Sequence, residues 1–330
     1  MTGQGTAGIG LADIQGQLLP RLTDVRRELR RIVETDFALI SLANAHLMQM
    51  QGKLFRPTLV LLAEQATGPA RPRAITLAAV VELIHLATLV HDDSVDHSVL
   101  RRGMPTLNAL FSHQVSVIMG DYLYSRAVIE LVRLNDLEPL RILARVTNEM
   151  TIGEMRQLTA HDPLAFTEAD YDLLIRSKTA SLLSGACEVG ALSADPPARA
   201  ALRRFGDNLG MAFQIIDDLI DYTEEEATTG KPSGSDLREH KVTLPLIYAL
   251  PRLSAAERGV IDELMATVEP SDDLIATVIE LVAGAGGLAY ARERAQQFCD
   301  QAEAELDNLI PSPACEALRA SLTYLLERRS

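Results

Sequence analysis

Apolar residues recur three and four positions apart along nearly the whole chain, the period of a helix rather than of a strand. The stretches AITLAAVVELIHLATLVHD (74–92) and VSVIMGDYLYSRAVIELVRL (115–134) show it over several turns, and residues 199–222 show it again. No sustained alternation of apolar and polar positions is visible. Glycine and proline interrupt the pattern at TGPARP, RRGMPT, HDPLAFTEAD, SADPP, TTGKPSGSD and IPSPA. These breaks predict about a dozen helices joined by short loops. Thr167, followed by Glu168 and Asp170, predicts a helix start with a hydroxyl cap and an acidic first turn.

Most of these helices carry apolar residues on more than one face, so the predicted fold class is all-α, a bundle of helices packed on helices. No change in composition marks a boundary. Residues 1–330 are therefore expected to form a single domain, with 1–10 as a flexible tail. The polar segment 223–241 predicts a long loop, and loops of that length in compact domains often serve as functional lids.

Composition adds exclusions. A chain of 330 residues that is 47% hydrophobic supplies a large core. Its apolar runs are broken by charged residues or His before the roughly 20 positions a bilayer requires, which predicts no transmembrane segment. MTGQGTAGIG has neither the basic start nor the apolar stretch of a secretory leader, so the expected location is cytoplasmic. A formal charge of -14 argues against general affinity for nucleic acid or for an anionic membrane surface. Any anionic ligand must then be held by local cations or bridging metals. Cys187, Cys299 and Cys315 are widely spaced and odd in number, the pattern of small core or surface residues.

One feature conflicts with helix propensity. LVHDDSVD (89–96) and QIIDDLIDY (214–222) each end an apolar helical pattern with three carboxylates. Asp92, Asp93 and Asp96 stand at i, i+1 and i+4, and Asp217, Asp218 and Asp221 repeat the spacing. The first and last of each set share a helix face, where like charges destabilise the helix. A solvated helix end would explain one set. For two sets, oxygen ligands without Cys or paired His suit Mg2+ or Mn2+, and two facing sets could clamp several ions onto a diphosphate.

Basic residues stand near the acids in loops: Lys53 and Arg56 in GKLFRP, Arg101 and Arg102 in RRG, Lys178 before Thr179 in SKTA, and Lys231 and Lys241. Singly each reads as a surface residue. Together they form a set suited to phosphate, with Arg as a bidentate fork and Lys as a compact charge.

LVHDDSVDHSVLRRG followed by FQIIDDLIDY resembles the two aspartate-rich motifs of trans-isoprenyl diphosphate synthases, the polyprenyl synthetase family. The resemblance covers about residues 40–250. It implies a helical domain around a deep central cavity, usually a homodimer, joining an allylic diphosphate to isopentenyl diphosphate. It implies that Asp92, Asp96, Asp217 and Asp221 hold Mg2+ on the allylic diphosphate, with Asp93 and Asp218 in or just behind the ligand set. Arg101, Lys178 and Lys231 would touch the same diphosphate. Lys53, Arg56, His85 and Arg102 match the isopentenyl diphosphate site. Thr179, Gln214 and Lys241 match further active-site positions, the first two flanking the reacting carbons. One departure is that Gln51 stands where the family usually has the first of two glycines.

Product length follows from the residues before the first motif. Thr88, Ala87, Ile84 and Val81 climb the helix away from Asp92 at about 5.4 Å per turn. An aromatic residue at the place of Ala87 or Thr88 gives short products in the family, so small residues there imply a deep tunnel. The expected product is a long all-trans chain of about six to ten isoprene units, of the kind used for quinone side chains, grown on a farnesyl or geranylgeranyl primer. The following helix, through Tyr122, Tyr124, Ile129 or Val132, is expected to offer a floor.

Other readings are weaker, the first of them a shorter-chain synthase that stops at farnesyl or geranylgeranyl diphosphate. A class I terpene cyclase needs no second diphosphate pocket. A di-iron bundle needs two Glu-x-x-His pairs, and only Glu82–His85 is present. A non-catalytic subunit usually loses the aspartates. His91 and His97 read as packing residues beside the first motif.

Overall fold

The computed structural model describes residues 10–50, 52–159, 163–223 and 234–328. They form α1 (Leu11–Gln15), α2 (Leu19–Val33), α3 (Ala38–Gln49), α4 (Phe55–Thr67), α5 (Arg73–Val95), α6 (Leu107–Leu110), α7 (His113–Arg133), α8 (Leu137–Thr159), α9 (Glu168–Ile175), α10 (Ser181–Gly190) and α11 (Pro196–Thr223). After the last undescribed internal stretch come α12 (Ser235–Arg238), α13 (Leu244–Ala249), α14 (Ala255–Ala266), α15 (Asp272–Gly284), α16 (Gly287–Leu306) and α17 (Pro313–Glu327). The all-α expectation holds. A two-stranded antiparallel hairpin, β1 (Leu100–Arg101) with β2 (Met104–Pro105), is the one sheet among the described residues. It turns at the RRG break, where Arg102 and Gly103 both take positive φ, 51° and 73°.

The core follows the apolar pattern. α11 packs along α16 and α10, and α5 packs against α7, α4 and α2. Leu59, Val60, Leu61 and Leu62 of α4 are wholly buried in sequence, as are Ala78, Ala79, Val80 and Val81 of α5. A helix buried on every side shows this instead of a single stripe. α5 is long and apolar enough by composition to cross a membrane, with mean hydropathy 1.8 over 18 residues, but 67% of that stretch is buried by neighbouring helices. An internal core helix accounts for it.

Local signals landed where the sequence put them. The Thr167 hydroxyl accepts from the Asp170 backbone N–H, and the Asp170 carboxylate accepts from the Thr167 N–H, a reciprocal cap on α9. All three cysteines are buried free thiols. His91 contacts the Val117 carbonyl and Asp121, while His97 packs edge-on against His113, so both act as packing residues.

Two expectations change. The 223–241 segment is not all loop, because α11 runs to Thr223 and Ser235–Arg238 forms a helical turn. The proposed floor residues of α7 do not face inward: Tyr124, Ile129 and Val132 are exposed, and the Tyr122 hydroxyl donates to the Val33 carbonyl at 3.1 Å. The inward face of α7 is Met119, Leu123, Ala127 and Leu131. Three- and four-residue spacing fits both faces, and only the neighbours of α7 choose between them.

Candidate active site

The middle acid of each triplet turns inward. Asp93 is buried and accepts from Arg101 Nε at 2.8 and 3.0 Å. Asp218 is buried and accepts from the Tyr171 hydroxyl at 2.6 Å and from Gln214 Nε2 at 2.8 Å. Gln214 in turn accepts from the Thr179 hydroxyl at 2.8 Å. Burial, the Asp236 charge and the Asp217 charge push the Asp218 carboxyl well above the usual range against these two donors. The middle acids therefore hold other candidate site residues in place, Asp93 the guanidinium of Arg101 and Asp218 the Gln214 amide that is linked to Thr179.

The outer acids face other charges. Burial pushes Asp92 up to about 6, with Glu154 and Asp96 adding to the rise and Lys178 and Arg101 opposing it. Lys178 and Thr179 sit on a widened π-type turn, Arg176–Ala180, between α9 and α10. Such turns insert one extra residue per turn and so aim side chains that a regular helix would rotate away. Lys178 Nζ pairs with Glu154 at 2.7 Å and donates to Gln157 at 3.1 Å.

On α11, Asp217 pairs with Arg328 at 3.2 Å, and that guanidinium also lies 5.1 Å from the Phe213 ring. Asp221 accepts from the backbone N–H groups of Ser235 at 3.1 Å and Asp236 at 3.0 Å, which ties the start of α12 to the end of α11. Burial and Asp221 push Asp236 up to about 6. Burial works against the Lys241 charge, but Glu239, Asp236 and Asp96 outweigh it and raise its pKa. Lys241 Nζ pairs with Glu239 and lies 3.9 Å from Asp236, whose backbone N–H is held by Asp221. Lys231 lies outside the described residues.

A second cationic group lies at the start of α4. Leu54 takes φ 53°, a left-handed conformation rare for a bulky residue, and such strain gathers at functional sites. Lys53 is exposed, and Arg56 has a buried Nε without a hydrogen-bond partner. Burial lowers the Arg56 pKa, Glu82 and Asp217 counter it, and Arg102 adds to the fall. Burial and the guanidinium groups of Arg56, Arg102 and Arg101 hold His85 well below its usual range, so it stays neutral at pH 7. Arg102 donates to the Met50 carbonyl at 2.8 Å, passing over Gly52, where an added Cβ would stand 2.7 Å from the guanidinium. Gln51 lies outside the described residues. Several guanidinium groups and a neutral imidazole around an orphaned donor fit an anion with several oxygens.

Among the described residues, no three His, Cys, Asp or Glu side chains converge as a ready-made metal chelate.

The polyprenyl synthetase family model matches residues 38–282. The chain belongs to this family. An all-trans-nonaprenyl-diphosphate synthase (geranyl-diphosphate specific) of Rhodobacter capsulatus is 40% identical over 295 residues, 89% of this chain and 90% of that one. Among solved structures, a polyprenyl synthase from Caulobacter crescentus complexed with calcium and isoprenyl diphosphate superposes with a TM-score of 0.92. It is 34% identical and covers 99% of this chain and 100% of its own. A decaprenyl diphosphate synthase from Rhodobacter capsulatus gives a TM-score of 0.91 at 36% identity, covering 97% and 100%.

The residues expected to form a chain-length wall, Ile84, Ala87 and Thr88, lie on α5. Ala87 and Ile84 are buried at 3% and 2% exposure. Thr88 ties its hydroxyl back to the His85 carbonyl at 2.8 Å. Sequence reasoning missed Glu154, Gln157, Tyr171, Asp236 and Arg328. Glu154 and Gln157 offered a faint signal, two polar residues three apart after Gly153. Arg328 offered none, since it lies more than a hundred residues from the acid it pairs with.

Proposed function

We propose that this protein is a Mg2+-dependent, long-chain, all-trans polyprenyl diphosphate synthase. It extends a farnesyl or geranylgeranyl diphosphate primer with successive isopentenyl diphosphates to about six to ten isoprene units, for quinone side chains. The observation that carries this is the pair of acidic triplets at the ends of α5 and α11, each with its middle acid buried and bonded to a neighbouring polar residue, Asp93 to Arg101 and Asp218 to Gln214.

Bound Mg2+ would supply charge stabilisation for a departing diphosphate, held by Asp92 on α5 with Asp96 just past its end, and by Asp217 and Asp221 on α11. Arg101, fixed by Asp93, and Lys178, fixed by Glu154 and Gln157, donate to the same group, and Lys231 is assigned there too. Positive groups in place before ionisation favour the developing negative charge without reorganisation. Lys53, Arg56, Arg102 and neutral His85 hold the second diphosphate. Thr179 and Gln214, linked to each other and to Asp218, present oxygens beside the reacting carbons. Lys241 lies between the triplets. Apolar residues of α5 below the acids exclude water from the cation.

A homodimer accounts for the outward apolar residues Val117, Ile118, Ile129 and Val132 of α7 and Ile152, Met155 and Leu158 of α8, since patches of this kind mark association surfaces. We place the enzyme in the cytoplasm.

The test is incubation of purified protein with Mg2+, isopentenyl diphosphate and each primer, followed by mass analysis. Long all-trans products support the reading; product from farnesyl diphosphate alone refutes it in favour of a cyclase. Ala87→Phe is expected to shorten the dominant product by at least one isoprene unit, because a ring replaces a methyl on a buried wall. An unchanged length distribution would remove Ala87 from the wall.

A further inference from the structure

The Lys178 ammonium is held from α8. Glu154 Oε1 accepts from it at 2.7 Å and Gln157 Oε1 at 3.1 Å. These two residues stand three apart on one helix and so share a face. α8 comes close to the widened turn at Gly153, where an added Cβ would stand 2.9 Å from Ser177 Cβ and 3.2 Å from the Lys178 backbone nitrogen. The missing side chain is what brings Glu154 and Gln157 within reach of Lys178.

An ammonium carries three N–H donors on a flexible four-carbon stem. Among the described residues two of the three are used, both by α8. Fixing two leaves one direction for the third. An ordinary exposed ion pair would leave the lysine free to swing. Here both partners are only about one-third exposed, 30% and 32%.

We propose that Glu154 and Gln157 are positioning residues that aim the remaining Lys178 N–H at the leaving diphosphate. The proposal rests on the assignment of Lys178 to that group. Holding the donor in place before ionisation matters most in the transition state, so the effect belongs in kcat on the allylic side and not in binding of isopentenyl diphosphate.

A double-mutant cycle tests it. Glu154→Ala is expected to lower kcat by about 10-fold or more, an order-of-magnitude figure for loss of positioning, with the KM for isopentenyl diphosphate within about 2-fold. Glu154→Gln, which keeps an acceptor oxygen, should recover most of the loss. Gln157→Ala should lower kcat by about 3-fold or more and serves if Glu154→Ala fails to fold. In a Lys178→Ala background, adding Glu154→Ala should change kcat by less than about 2-fold. Calorimetric affinity for inorganic pyrophosphate with Mg2+ should show the same non-additivity. Additive losses, or normal kcat in Glu154→Ala and Gln157→Ala while Lys178→Ala is impaired, overturn the proposal and leave the site assignment standing. Normal turnover in Lys178→Ala removes that assignment and the proposal with it.

Discussion

Asp92→Ala and Asp217→Ala are each expected to lower turnover by about 10²–10³-fold or more, the scale of losing one preorganised charge-stabilising group, while helix content persists. The two residues sit on different helices, α5 and α11, more than a hundred positions apart, so equal severity would show that one substrate is held from both sides. Neither change should unfold the protein. Asp92 is a carboxylate held in an unfavourable setting, its pKa pushed up to about 6 by burial and by Glu154. Removing it relieves that penalty, so the melting temperature at pH 7.5 should be unchanged or higher. Function commonly keeps such destabilising groups in place. Asp217→Ala leaves Arg328 without its carboxylate, and a small loss of stability is expected there. Near-normal incorporation of isopentenyl diphosphate in either variant, with intact circular dichroism, would remove the metal role.

Chelation should be equally severe. EDTA is expected to bring turnover to background and excess Mg2+ to restore it; full turnover in chelator contradicts the proposed mechanism. The pKa shifts give this dependence a pH window. Asp92 and Asp236 are both raised to about 6, and Asp218 stands well above its usual range. As pH falls through about 6 the Asp92 carboxyl takes up a proton and competes with the metal. Below that point each pH unit should raise the Mg2+ needed for half-maximal activity by up to about 10-fold, for one displaced proton. Stability of the metal-free protein runs the other way. A raised folded-state pKa means the native chain binds more protons than the unfolded chain between about pH 4 and 6, so the contribution of these acids declines as pH rises through that window. Mg2+ with pyrophosphate should therefore raise the melting temperature at pH 7.5 and do so less at pH 5. A ligand-induced shift equal at both values would show that these acids do not bind the metal.

Much of the site was legible because its chemistry is local in sequence. The i, i+1, i+4 spacing of Asp92, Asp93 and Asp96 places the first and last on one face of any α-helix, and Asp217, Asp218 and Asp221 inherit the same geometry. Tyr171 was not legible, since a tyrosine on an apolar helix face is ordinarily core; only the fold turns its hydroxyl onto Asp218 at 2.6 Å. The α7 floor was misread for a related reason. Its apolar residues exceed what one face needs, and burial of Leu123 and Leu131 with exposure of Ile129 and Val132 depends on which helices lie alongside.

By itself the sequence determined that this protein is a helical bundle and that it carries two acid triplets at the ends of apolar helices; of the cations it placed in loops, Arg56 instead stands in α4 and Lys178 on the helical turn Arg176–Ala180. Period, spacing and charge are properties of the chain within a few turns. Only the tertiary structure decided that Asp93 and Asp218 turn inward, that Lys178 is held by Glu154 and Gln157, and that Arg328 reaches Asp217 from the far end of the chain. Those pairings join residues on different helices, and packing alone brings such helices together.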